Sequence, residues 1–201
     1  MASESTKGIE ARRLPPGSHG IPAEVVARNQ RERLIAAMAE ICGERGYAES
    51  SVAEVAKRAG VSTASFYRQF KDRRECMLAS FEELFGRLLE ELERACAAED
   101  EPAAKAGTGA RTAAAILAAD PPAARLLSVE ILAVGTEGVR AQHEAIEQLA
   151  QLLRGAPASS LNDAADAQWS AVAAAAALVA KRVAAGERLS APELEALVSQ
   201  L

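Results

Sequence analysis

The stretch from Ser51 to Phe70, SVAEVAKRAGVSTASFYRQF, leaves little freedom for the fold around it. Ser51 with Glu54 three positions on is a capping box, which opens a helix. Val52, Val55, Ala56 and Ala59 follow at helical spacing. Gly60 can take the positive φ of a tight turn, and Val61 plugs the angle behind it. Ser62 caps a second short helix that runs to about Phe70, with Phe66 and Phe70 turned inward. Two helices this short cannot bury their apolar faces alone. A third comes from Pro22 to Arg45: Pro22 suits a first turn, Gly46 a stop, and Leu34, Ile35, Met38, Ile41 and Cys42 form its stripe.

The rest of the chain reads as helix. Apolar residues make up 49% and aromatics 3%, with Ala, the strongest helix former, dominant. Asp72 with Glu75 caps a long fourth helix, about 73–98, striped by Met77, Phe81, Leu84, Phe85, Leu88, Leu89 and Leu92. Further helices are predicted over 102–119, from Pro121 to the Gly135–Gly138 break, from there to Gly155, over 164–185, and after the Ser190/Glu193 cap. The expected fold is all-α. An arm at 1–20 precedes a three-helix head at 21–72, and an Ala-rich helical body spans 73–201. No apolar run reaches the roughly 18 residues of a membrane span. Cys42, Cys76 and Cys96 fit neither a zinc spacing nor a disulfide framework, so reduced thiols in a cytoplasmic protein are expected.

Two short helices about a glycine turn have the geometry of a helix-turn-helix, whose second helix enters the DNA major groove. Ser62, Thr63, Ala64, Ser65 and Arg68 are the candidates for the DNA face. Arg can donate twice to guanine, and the Ala and Thr methyls can touch a thymine methyl. The net charge of −5 is unevenly spread. Residues 1–75 hold 13 Lys+Arg against 10 Asp+Glu, a net of +3, whereas 76–201 hold 10 against 18, a net of −8. A basic end on an acidic body suits a protein that touches duplex DNA at one end only. Arg12 and Arg13 of the arm can reach a groove, or the arm has no role. Lys57 and Arg58 are read as solvent-face charges.

The head resembles the tetracycline-repressor (TetR) family of bacterial regulators. The resemblance rests on Arg45-Gly46-Tyr47, Val55-Ala56, Ala59-Gly60-Val61-Ser62, Phe66-Tyr67 and Phe70, with Arg73 or Arg74 where the family usually has Lys. It covers about 22–78. Ala64, Gln69 and Cys76 depart from the usual pattern; the first two lie on the DNA side and bear on operator sequence. The resemblance implies phosphate contacts from Tyr67, Ser51 and Arg73; the last two sit at helix N-termini, where free N–H groups favour an anion. Packing of Tyr67 on the first helix and a solvated Arg68 are the alternatives.

In the body, Trp169, Val172, Ala176, Val179 and Val183 are spaced 3-4-3-4, a coiled-coil-like seam. The segment 171–180 is apolar on every side and therefore has to be buried on more than one. The resemblance implies a homodimer built on such helices, with Val172, Ala176, Val179 and Val183 at the interface, reading a palindromic operator. A core helix of a monomer is the alternative. The resemblance also implies an effector pocket, for which Phe85, Leu89, Leu117, Leu127, Ile131, His143 and Trp169 are candidates. Few charges interrupt these stripes, so a small, mostly apolar effector is expected. His143 has an ordinary boundary role as its alternative. No metal or cofactor is expected: there is no metal-ligand cluster, phosphate-binding glycine loop or nucleophile motif, and only two histidines. The reading is a DNA-binding regulator and not an enzyme: a ligand-responsive repressor, or an activator or ligand-blind regulator of the same fold.

Overall fold

The computed structural model describes residues 22–153 and 163–198. The expected arm, with Arg12 and Arg13, and nearly all of the expected loop at 156–163 lie outside the described residues. Among the described residues the chain is all-helical. Nine α-helices run α1 (Ala23–Arg45), α2 (Val52–Ala59), α3 (Thr63–Gln69), α4 (Arg73–Cys96), α5 (Pro102–Ala119), α6 (Pro121–Ser128), α7 (Thr136–Leu153), α8 (Asp163–Ala184) and α9 (Ala191–Val198). Short 3₁₀ turns at Tyr47–Glu49 and Glu130–Val134 link α1 to α2 and α6 to α7. No helix among the described residues is long and apolar enough to cross a membrane.

The local signals act where they stand. Ser51, Ser62, Asp72 and Asp120 each accept from the backbone N–H three residues on, satisfying a donor that the first helical turn leaves free. Gly60 sits at φ 64°, ψ 36°, the left-handed region that closes α2 and sets its angle to α3. Cations on α1 hold the assembly from beneath. Arg31 donates to the Gln69 carbonyl at 3.2 Å and lies 4.4 Å over the Phe70 ring. Arg33 donates to the Ala59 carbonyl. Both meet the negative ends of short helices.

Head and body share one core. Leu34, Met38, Ile41, Val55, Phe66 and Phe70 from the head pack in a single cluster with Met77, Phe81 and Phe85 of α4 and Leu126, Ile131 and Val134 beyond. No gap in packing therefore marks the expected division near residue 72.

The expected helix from Pro121 to Gly135 is broken at Val129. Ser128 bonds back to the Ala124 carbonyl at 2.6 Å, and the chain tightens into the 3₁₀ turn.

All three cysteines are buried thiols. Cys42 Sγ lies 3.7 Å from both Met38 and Met77 sulfurs. Burial pushes Cys42 and Cys76 from 9.0 up to about 12, and it raises Cys96 as well. In the unfolded chain these thiols ionise near pH 9 while the folded ones hold their protons. The stability they lend is present in full below pH 9 and declines towards pH 12, by roughly 1.4 kcal/mol per pH unit for each such thiol. Denaturant unfolding at pH 8 and pH 10 should show that decline. A thiol reagent at pH 8 should label none of the three in the native chain and all three in denaturant.

Candidate DNA-reading face and effector cavity

Five residues at the start and along one side of α3 are exposed: Ser62, Thr63, Ala64, Tyr67 and Arg68. Phe66 and Phe70 anchor the opposite side at 0% and 1% exposure. Tyr67 stands edge-on to Phe66, with centroids 5.5 Å apart, and the residue is 60% exposed. Nothing packs it down onto α1, the alternative the sequence left open. Ser51 is exposed too, its hydroxyl bonded to Glu54 at 2.9 Å.

Two of the expected DNA-face residues are placed differently. Ser65 is 6% exposed, its hydroxyl 3.0 Å from that of Ser62 and accepting from Arg68 Nη2 at 2.7 Å. It orients Arg68 instead of facing outward. Arg73 turns back into the head. Its Nη1 donates to the carbonyls of Tyr47 at 3.0 Å, Ala48 at 3.4 Å and Ser50, and its guanidinium lies 4.1 Å over the Tyr47 ring. The link between α1 and α2 presents carbonyls there, so this cation braces the corner in place of the expected phosphate contact. Arg58 is likewise committed, to Glu44 and Glu40, which agrees with its reading as a solvent-face charge.

A cavity of about 140 Å³ lies in the body among α4, α5, α6, α7 and α8, with Leu194 of α9 closing it. Among the described residues, Ser128 and Gln142 are the only polar ones in its wall, and no charged one contributes. Of the seven expected wall residues, Phe85, Leu117 and Leu127 line it. Leu89, Ile131, His143 and Trp169 do not. Leu89 packs on the shared core, and Ile131 is fully buried in that core at the joint with the head. His143 is exposed on α7, 3.6 Å from Glu147, with its ring 5.2 Å from that of Trp169.

The seam on α8 also turns out differently. Val172, Ala176 and Val179 line the cavity, and Val183 packs beside the α5 wall. The 3-4-3-4 stripe therefore faces this chain's own interior and not a partner. The opposite face, with Ser170, Ala174, Ala177 and Lys181, is exposed.

Between the cavity and the head lies a joint that sequence reasoning missed. Ala124, Leu127 and Ser128 of α6 line the cavity, while α6 packs along α1. The approach is close at Gly43, where any Cβ would lie 2.4 Å from Pro122 Cβ. Just beyond α6, Glu130 is 8% exposed. Its carboxylate accepts from the Tyr47 backbone N–H at 2.7 Å and from Arg125 Nε at 2.8 Å. Gly46, at φ 87°, makes room: a Cβ there would lie 3.2 Å from both Glu130 oxygens. Arg74 and Glu137, 3.0 Å apart, tie the start of α4 to the start of α7.

A short exposed helix on a three-helix head, joined by one continuous helix to an all-helical body, defines a helix-turn-helix fold. Residues 34–79 match the family described as bacterial regulatory proteins, tetR family. The match covers the helix-turn-helix head and the start of α4, so it is the head that carries this family's pattern. A fatty acid metabolism regulator protein of Bacillus subtilis is 34% identical over 61 residues, 30% of this chain and 31% of that protein. The match thus spans about a third of the relative's length. Among solved structures, FadR from Bacillus subtilis in complex with stearoyl-CoA superposes with a TM-score of 0.70 at 21% identity, covering 84% of this chain and 95% of that one. The fatty acid degradation regulator FadR from Bacillus halodurans gives 0.70 at 22% identity, covering 86% and 93%. Thermus thermophilus FadR, a repressor in complex with lauroyl-CoA, gives 0.61 at 24%, covering 84% and 91%. These likenesses establish the fold of head and body together.

Proposed function

We propose that the chain is a ligand-responsive repressor that sits as a homodimer on a palindromic operator and leaves it when an acyl-chain effector enters the body. Residues 21–72 act as the DNA-reading unit and 73–201 as the effector and dimer unit. Thr63, Ala64 and Arg68 read base edges; Tyr67, Ser51 and Ser62 set the register on phosphates. The dimer forms on the outer side of α7 and α8, not on the inward seam. Ala174 and Ala177 leave room there for a second helix, and Val139, 53% exposed, shares an α7 face with His143, which touches α8 at Trp169. Two heads about 34–36 Å apart then meet successive turns of one groove.

The observation that carries this reading is the position of the cavity. Phe81, in its wall, is one helical turn along α4 from Met77 in the core beneath the head. On its other side, α6 lines the cavity with one face and α1 with the other. The cavity is also small. At about 140 Å³ it is comparable to an engineered void of roughly 150 Å³ that takes up benzene. A chain of a dozen carbons needs the wall to give. An effector that binds only the widened form shifts the population towards it, and α4 and α6 carry the change to the heads. The relatives crystallised with stearoyl-CoA and lauroyl-CoA suggest the class of effector.

The test is fluorescence polarisation of a labelled operator with lauroyl-CoA as titrant. Release is expected for the wild type. Ala110→Leu, which fills part of the cavity, should bind the operator normally and need about tenfold more effector. An operator complex indifferent to acyl effectors in both proteins would overturn the ligand-responsive reading.

A further inference from the structure

Leu117 and Ala124 belong to two walls at once. On one side is the apolar cavity. On the other is a cleft of about 670 Å³, floored by Gly43 and Pro122 where α1 meets α6, and roofed by Val183, Gly186 and Leu189 at the turn from α8 to α9. The two spaces adjoin at these shared residues.

Their chemistries differ. The cleft carries three charged residues, Arg125, Glu187 and Arg188. Glu187 pairs with Arg182, which also holds Glu193. Arg125 commits only its Nε, to Glu130, and its side chain is 42% exposed. Its two terminal nitrogens have no protein acceptor among the described residues, and neither does the exposed Arg188. The cleft therefore holds uncommitted guanidinium donors beside an apolar wall. Their planar N–H forks match a phosphate group. Size points the same way. Ligand pockets commonly span about 300–1,000 Å³; the cavity alone falls short of that, and the cleft lies within it.

We propose that the cleft binds the phosphorylated head group of an amphipathic effector whose apolar tail occupies the cavity, with Arg188 and Arg125 as its anion ligands. This rests on the acyl-effector reading and assigns that effector its polar half. The head group would lie against Gly43 of α1 and draw on Arg125, the cation that also braces Glu130. Tail and head would then act on α6 from opposite sides.

The test measures binding to the full chain by calorimetry, with lauroyl-CoA, laurate and free CoA as probes. Lauroyl-CoA should bind about tenfold or more tightly than laurate, with free CoA competing weakly. Arg188→Ala, an exposed position, should weaken lauroyl-CoA about tenfold and laurate less than about twofold, and Arg188→Glu should weaken lauroyl-CoA about a hundredfold. Raising salt from 50 to 300 mM should narrow the gap between the two ligands. If both ligands bind and neither Arg188 variant distinguishes them, the head group lies elsewhere and the cleft assignment fails while the acyl-effector reading stands. If neither acyl probe binds the wild type, the effector reading itself fails and this one with it.

Discussion

Replacing Ala64 by Glu is expected to abolish specific operator binding and leave the fold untouched. Ala64 is exposed in the first turn of α3, between the Ser62 cap and the outward-facing Tyr67 and Arg68. Its methyl meets no neighbour that a longer side chain would displace, so the change in stability should stay within about 0.5 kcal/mol. In the complex, the same position faces a groove walled by phosphates. A carboxylate forced there loses hydration and meets like charge, a penalty of several kcal/mol, or more than about a hundredfold in affinity. Thermal unfolding and operator titration on the same preparation separate the two effects. Operator affinity within about threefold of wild type would show that α3 does not enter the groove.

Glu130→Ala is expected to cost both stability and effector response while leaving the DNA face alone. The carboxylate is nearly buried and serves two donors, the Tyr47 N–H and Arg125 Nε. Removing it leaves a buried backbone N–H without an acceptor and Arg125 without its partner. Breaking a fully buried pair costs about 3–5 kcal/mol; with Arg125 partly exposed, about 2–3 kcal/mol is expected. Glu130→Gln retains an acceptor for Tyr47 and should lose roughly half as much. The functional effect is separate. Glu130 fastens the segment after α6 to the end of α1, so in its absence the ratio of operator affinities with and without effector should fall towards one. Urea unfolding and the paired titrations read these out. An Ala variant as stable as wild type and fully responsive would remove Glu130 from the coupling route.

What the sequence disclosed and what it hid divide along a physical line. Features set by neighbours in the chain were legible: the side-chain caps at Ser51, Ser62 and Asp72, the left-handed Gly60 turn, and the inward pair Phe66 and Phe70. Each depends on residues within a few positions, and the hydrogen bonds that satisfy helix ends leave a fixed spacing in the sequence. Features set at long range were not. Glu130 meets Tyr47 across 83 positions, and in the sequence it is one acidic residue among 28. Arg73 looked like a phosphate ligand because its place at a helix start is local, whereas the carbonyls that hold it come from the link between α1 and α2, some 25 positions back. The α8 seam was found but faced the wrong way. A helix that is Ala-rich all round has no polar side to fix its phase, so periodicity alone cannot tell an inner face from an outer one. Leu89, Ile131, His143 and Trp169 failed as wall residues for a related reason: an apolar stripe marks burial without saying whether a core or a cavity lies beneath it.

The most direct test is selection of bound duplexes from a random DNA library by the purified protein, without effector, at moderate salt, with the Ala64→Glu variant in parallel. Wild type should enrich a palindrome whose half-site centres lie about 10 base pairs apart or a multiple of that, and the variant should enrich nothing. A folded wild-type protein that enriches no sequence, or a variant that enriches the same one, would contradict the assignment of α3 as the reading helix of a two-fold dimer.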